Sequence, residues 1–261
     1  HGSLQASGKH LRHYVAVSSD IGNGFMHNTG FRNLKALYTQ EASLNGHRFS
    51  LLASYIHNEF GAHGFYAYPY DKESEETVGT WMVGLRHEKN IGSRFYSKSN
   101  ASVRLNSDEY IFIRQDPGYF RNRHRTQSYL GNSNLGYRYR QGELAFGLAY
   151  NLQRIQSTNL DTFQRHMMGL YLENVYHFTP RLTASAGVYA HYTSSWGVSV
   201  LPGLDLGYQA HPKLKFYLSA GSANRIPTYT DLYYKGPSNM GNDQLKPEKA
   251  VGLDAGVRFS G

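Results

Sequence analysis

Residues 181–193 read RLTASAGVYAHYT. Leu182, Ala184, Ala186, Val188, Ala190 and Tyr192 share one parity, and Thr183, Ser185, Gly187, Tyr189, His191 and Thr193 the other. Side chains of a strand alternate between faces, so this stretch is a ribbon with one apolar and one polar side. The same period recurs in both directions along the chain. Leu144, Phe146, Leu148, Tyr150 and Leu152 oppose Glu143, Gly147, Asn151 and Gln153. Val198, Val200, Leu204 and Leu206 oppose Ser199, Gly203, Asp205 and Gly207. Leu214, Phe216, Leu218 and Ala220 oppose Lys213, Lys215, Tyr217 and Ser219, and Val251, Leu253, Ala255, Val257 and Phe259 oppose Gly252, Asp254, Gly256 and Arg258.

The connections alternate as well. Short turns fall at 44–48, 89–94, 140–143, 178–181 and 210–213. Between them lie connections of variable length at 21–30, 58–76, 114–123, 157–162, 194–196 and 226–246, most of them rich in Tyr, Phe, Asn, Asp and Gly. The pattern predicts about thirteen strands, roughly 10–15 residues each and longer than strands of soluble proteins. Two architectures fit. A soluble β-sandwich buries its apolar faces between two sheets. A transmembrane β-barrel turns them to lipid and keeps a polar interior, with short turns at one rim and long loops at the other. The barrel is favoured by the charges on the polar faces and by the turn-and-loop asymmetry. Tyr150, Tyr192, Tyr176, Phe178 and Tyr208 also sit near the ends of apolar stripes, where interfacial aromatics belong. An odd strand count does not close a bacterial single-chain barrel, and an open sheet edge is unsatisfied in lipid, so the 261 residues are expected to be part of a larger barrel, as one domain.

Composition agrees. The chain is 40% hydrophobic, 18% charged and 14% aromatic, with 22 Tyr, 2 Trp and no Cys. Disulfide and thiolate chemistry are therefore excluded. No run approaches the ~18 apolar residues of a membrane-spanning helix. A net charge of +8 and a pI near 9.4 point to an acidic ligand, an anionic lipid surface or nucleic acid. The chain opens at His1 with neither initiator Met nor signal peptide, which reads as a processed or excised piece.

Residues 224–259, NRIPTYTDLYYKGPSNMGNDQLKPEKAVGLDAGVRF, break the strand period with a long Tyr-rich excursion. This stretch resembles the late-barrel signature of TonB-dependent outer-membrane receptors, R-x-P-[ST]-[FY]-x-[DE]-L-Y, then Gly-Asn, then L-x-P-E before a strand. The matching residues are Arg225, Pro227, Thr228, Tyr229, Asp231, Leu232 and Tyr233, then Gly241 and Asn242, then Leu245, Pro247 and Glu248. A second stretch, EFGAHGFYAYP (59–69), is similar to an extracellular-loop segment, F-G-A-N-x-F-Y, in such receptors, with His63 in place of Asn. The resemblance implies a plugged barrel of roughly 22 strands in the bacterial outer membrane, of which this chain is about half. The plug and the short box that meets the TonB-type energy transducer are not among these residues. In the excursion, Pro227 and Pro237 are expected to stop the sheet, Gly236 and Gly241 to permit turns, and Pro247 to open the next strand.

The implied function is binding of a scarce, bulky nutrient of the cobalamin or iron-chelate class at extracellular loops, for energy-coupled uptake. Candidate ligand residues are Phe65, Tyr66 and Tyr68 in one loop, Tyr119, Phe120 and Arg121 in another, and Tyr229, Tyr233 and Tyr234 in the last. The same residues also suit packing of the loops against the barrel mouth. The basic run RNRHR (121–125) is read as loop, facing solvent, lipopolysaccharide phosphate or an anionic ligand; nothing beside it reads a nucleic-acid groove. His57 and His63 flank Glu59, and Asp71, Glu73, Glu75 and Glu76 form an acidic patch, but neither has metal-ligand spacing, so no resident metal or cofactor is expected. No G-x-S-x-G occurs, and Ser185 and His191 lie ~20 Å apart on one strand, so no enzyme is expected. The alternative is a passive porin or adhesin-type barrel.

Overall fold

The structure is a computed structural model and describes residues 1–66, 68–236 and 239–260. Thirteen strands follow one another: β1 (Gly2–Ser7), β2 (Leu11–Gly22), β3 (Phe31–Leu44), β4 (His47–Gly61), β5 (Glu75–Ile91), β6 (Phe95–Ile111), β7 (Arg121–Tyr139), β8 (Gly142–Ser157), β9 (Asp161–His177), β10 (Leu182–Thr193), β11 (Gly197–His211), β12 (Leu214–Arg225) and β13 (Glu248–Phe259). One short helix, α1 (Tyr229–Tyr233), lies between β12 and β13. The strands form a single antiparallel sheet in chain order, with no crossover. Pro237 lies outside the described residues.

Turn chemistry fixes the register at the short rim. Asn45 and Gly46 join β3 to β4 with φ of 50° and 77°. Two successive positive φ values make the mirror-image turn whose twist matches a hairpin, and Asn-Gly adopts it at least cost. Leu44 thus faces His47, and pairing runs unbroken to Phe31 against Phe60. The opposite rim carries the longer connections, among them 23–30, 62–74, 112–120 and 226–247.

The strands run further toward those loops than the sequence reading placed them. β7 has 19 residues, and its ladder with β6 continues to Ile111 against Arg121. The RNRHR run is therefore strand. His57, Glu59, Glu75 and Glu76 are likewise in β4 and β5 rather than in a loop. About 9–11 residues cross a bilayer, so these ends stand above it. One face meets water and the other lies under the loops, both are largely polar, and the hydropathy alternation that marks the lower strand disappears.

Burial is inverted relative to a soluble fold. The outer parity is apolar and uncovered: Leu148 is 53% exposed, Val198 68% and Leu253 72%. The few fully buried side chains are largely polar, including Asp71, Ser74 and Thr193, and sit under the loops. No second sheet covers the apolar side among the described residues, so the sandwich alternative fails. Hydrophobic faces left bare over a whole sheet require acyl chains as their solvent. Aromatic contacts frame the band. Tyr55 and Trp81 meet at 4.3 Å on the loop side. Phe95–Tyr137 at 4.8 Å and Tyr176–Phe178 at 4.7 Å lie by the short turns.

The inner parity is laced with cross-strand polar pairs: Thr80 to Asn106 at 2.6 Å, Asn100 to Asn132 at 2.8 Å and Ser185 to Glu173 at 2.7 Å. Inward tyrosines lie flat over inward glycines: Tyr96 over Gly136, Tyr171 over Gly147, Tyr189 over Gly169 and Tyr217 over Gly256. A Cβ on any of these glycines would run into the ring.

Candidate functional site at the loop rim

The 226–247 excursion is folded onto the inner wall by the signature residues themselves. Thr228 caps α1: its hydroxyl accepts from the Asp231 N–H at 3.1 Å, and the Thr228 N–H donates to Asp231 Oδ2 at 2.8 Å. This reciprocal capping box suits Thr-x-x-acid. Those hydrogen bonds, with Arg225 beside them, hold the Asp231 carboxyl below its ordinary range. Arg225 joins Asp231 at 3.3 Å and Glu248 at 3.0 Å, so the two ends of the excursion meet on one guanidinium. Leu232 is buried, and Gly241 lies so close to the Leu232–Tyr233 backbone that a Cβ would stand 2.6 Å from it. Asn242 N–H donates to Asp231 O at 2.9 Å.

Beneath this clasp is Arg165 of β9, 5% exposed. Its guanidinium sits 4.8 Å from both the Trp196 and the Tyr229 rings, and Nη1 donates to Pro227 O at 3.0 Å. Phe163 stacks on Tyr233 at 3.7 Å and on Tyr229 at 6.2 Å. The Tyr229 hydroxyl donates to Gln153 O at 3.3 Å, and burial raises its pKa.

A second assembly ties the 23–30, 62–74 and 112–120 loops together. Buried Asp71 accepts from the N–H groups of Gly64 at 3.0 Å and Tyr66 at 2.9 Å. The Ser74 hydroxyl donates to Asp71 O at 2.6 Å, and Asn28 Nδ2 donates to Ser74 O at 2.5 Å. His27 meets Glu73 at 2.7 Å, which lowers the pKa of that carboxyl. Arg114 meets Glu75 at 2.7 Å and also contacts Asn28. The Tyr66 hydroxyl donates to Glu76 at 2.7 Å, and its pKa is raised well above the ordinary phenol value by partial burial and then by that carboxylate. Each acid of the run thus has its own partner. Gly61 of the F-G-A stretch faces the Asn28 backbone so closely that only glycine fits.

The candidate residues fall into three groups. Phe65, Tyr66 and Tyr68 are exposed on the 62–74 loop, with Phe65 and Tyr66 edge to face at 4.6 Å and Tyr66 against Tyr110 at 4.7 Å. Tyr119 and Phe120 are exposed on the 112–120 loop, around Phe112. Tyr229, Tyr233 and Tyr234 are half-buried in the clasp. Arg121 stands apart, on the outer parity of β7, 3.6 Å from Glu109. His57 bonds Glu59 on the outer face of β4, whereas His63 lies against His27, so these histidines do not converge. Sequence reasoning passed over Arg165, Phe163 and Trp196. Their one signal was an arginine on the inward parity of β9, between Phe163 and Met167.

The model of the family described as TonB dependent receptor-like, beta-barrel, matches residues 14–261. The chain belongs to the TonB-dependent receptor family. A vitamin B12 transporter, BtuB of Vibrio vulnificus (strain YJ016), is 29% identical over 121 residues, 44% of this chain and 19% of that protein. The siderophore receptor PirA from Pseudomonas aeruginosa superposes with a TM-score of 0.82 at 13% identity, over 99% of this chain and 48% of that one. The FrpB iron transporter from Neisseria meningitidis (F3-3 variant) gives 0.78 at 14% identity, over 99% and 49%. Such identities show the shared fold. The chain spans about half the length of the solved receptors it matches. As a TonB-dependent receptor barrel it is an outer-membrane protein, so the apolar parity faces lipid, the polar parity faces the lumen, and the loop rim is extracellular. The family is one of receptors and transporters.

Proposed function

We propose that this chain builds the wall and mouth of a receptor that captures a scarce, bulky nutrient outside the cell for energy-coupled uptake. The carrying observation is the set of exposed aromatics Phe65, Tyr66, Tyr68 and Tyr119 on loops pinned from below by Asp71, Glu73, Glu75 and Glu76. Aromatic rings held on anchored loops give contact area at small ordering cost. Tyr229, Tyr233 and Tyr234 serve in this reading as the clasp that holds the third loop against the wall, and they meet ligand only at its edge. The similarity to a vitamin B12 transporter, and to receptors named for siderophores and iron, supports a cobalamin or iron-chelate ligand. Coupling would come from a plug in the lumen and a TonB-type transducer. The polar lumen suits a plug that moves, because hydrogen bonds to such a wall exchange readily with water. A passive porin does not account for the family signature.

The test uses the full-length receptor in a strain lacking its own copy. Growth on cobalamin or on ferric siderophores as sole source identifies the ligand. Tyr66→Ala with Tyr68→Ala should cut ligand binding by about tenfold or more at unchanged surface abundance. Growth independent of the energy transducer would sink the active-transport reading.

A further inference from the structure

We infer that the outer face of β7–β9 carries a docking site for the phosphate-bearing glycolipid of the outer leaflet, lipopolysaccharide, centred on Arg125 and Arg154. The inference rests on which way the wall faces and not on the transported ligand, so its failure and the failure of the uptake reading are separable.

Register places the site. On the lipid parity, Tyr129 pairs with Leu152, and Leu152 with His166. One step toward the loops, Gln127 pairs with Arg154 and Arg154 with Gln164; one step further, Arg125 pairs with Gln156 and Gln156 with Thr162. Each such step is two residues, about 7 Å along a strand. Arg154 therefore begins where the apolar band ends, and Arg125 stands one step higher. That is the level of outer-leaflet headgroups and sugars. Arg123 and Arg121 continue the column above Arg125 on the same parity.

Charge and partners separate these arginines. Arg121 and Arg123 share Glu109 at 3.6 and 3.2 Å. Among the described residues neither Arg125 nor Arg154 makes an ion pair, and both are exposed. Both line a cleft of about 350 Å³ with Gln127, Gln156, Thr162 and Gln164, its floor made by Ile155 and Phe163. An unpaired guanidinium is a planar fork that matches a phosphate with two hydrogen bonds. The amides and hydroxyl around it are the donors and acceptors that sugar hydroxyls use. The transported nutrient cannot reach these groups, because the wall stands between them and the lumen. On the inward parity at the same height are His124, Thr126 and Ile155. A lipid whose acyl chains lie on Leu152, Met168 and Leu170 brings its phosphates to the arginines without leaving the leaflet.

The experiment takes full-length receptor from outer membranes in mild detergent and counts retained glycolipid by native mass spectrometry. Arg125→Ala/Arg154→Ala should retain at least about fivefold less, and Arg125→Lys/Arg154→Lys an intermediate amount, because lysine keeps the charge without the fork. Arg104 pairs with Ser128 on the inward parity of β6, so the lumenal control Arg104→Ala should retain the wild-type amount. Independently of any variant, wild-type receptor in nanodiscs should bind the phosphorylated glycolipid at least about fivefold better than its dephosphorylated form. Equal binding of the two lipids overturns the inference whatever the variants do. So does unchanged retention by a folded double-alanine receptor.

Discussion

Arg165 joins a loop to the wall through one side chain. A guanidinium between Trp196 and Tyr229, bonded to the Pro227 carbonyl, fastens the 226–247 loop to β9 from inside the lumen. Arg165→Met keeps the stem and deletes the charge. Losing one charge-assisted hydrogen bond and the ring contacts should loosen the loop by about 2–3 kcal/mol. Hydrogen exchange of the 228–234 amides in the full receptor would read this as faster exchange with the wall unchanged. Asp231 gives the same loop a pH dependence. Its folded pKa is depressed by the Thr228 hydrogen bonds, so its contribution is complete above the ordinary Asp pKa of about 3.9 and is lost as pH falls through the lower folded value. Exchange of those amides should therefore be flat from pH 7 to about pH 5 and accelerate below pH 4, beyond the intrinsic trend. Thr228→Ala should show the loosened loop at neutral pH.

At the scale of the strand, the controlling fact is which parity meets lipid. Leu148 lies mid-band, between Ser133 and Leu170. Leu148→Arg should cost about 2–4 kcal/mol and lower the amount of folded receptor in the outer membrane, read by surface labelling. Gly147→Arg would not test the same thing, since that position lies under the Tyr171 ring. The strand number and the short turns were legible because a one-sided bilayer environment imposes a strict period of two, and because Asn45-Gly46 has few conformations open to it. The strand ends were not. In R-N-R-H-R both parities are polar, so hydropathy carries no alternation, and only the ladders with β6 and β8 reveal a strand. The same limit applied to the site. The Tyr-rich loops were visible as composition, and their signature as an ordered motif. The anchors Asp71 and Glu76 meet Tyr66, and Arg165 meets the Pro227 carbonyl, only once the chain folds.

For the whole molecule, the sheet exposes its apolar side across thirteen strands without a covering layer among the described residues. A surface of that extent does not remain dispersed in water. These 261 residues alone should sediment without detergent or lipid and stay in solution with it, read by ultracentrifugation. A dispersed monomer in plain buffer would mean that the apolar parity has found another partner.

The tyrosines laid over glycines have one more effect. Tyr96, Tyr171, Tyr189 and Tyr217 each rest in a hollow left by a residue without a side chain. Their rings lie along the wall, in space that a side chain at the facing position would otherwise fill. A side chain at Gly136, Gly147, Gly169 or Gly256 would therefore drive its tyrosine off the wall and toward the lumen axis, so these four glycines decide how far the rings project.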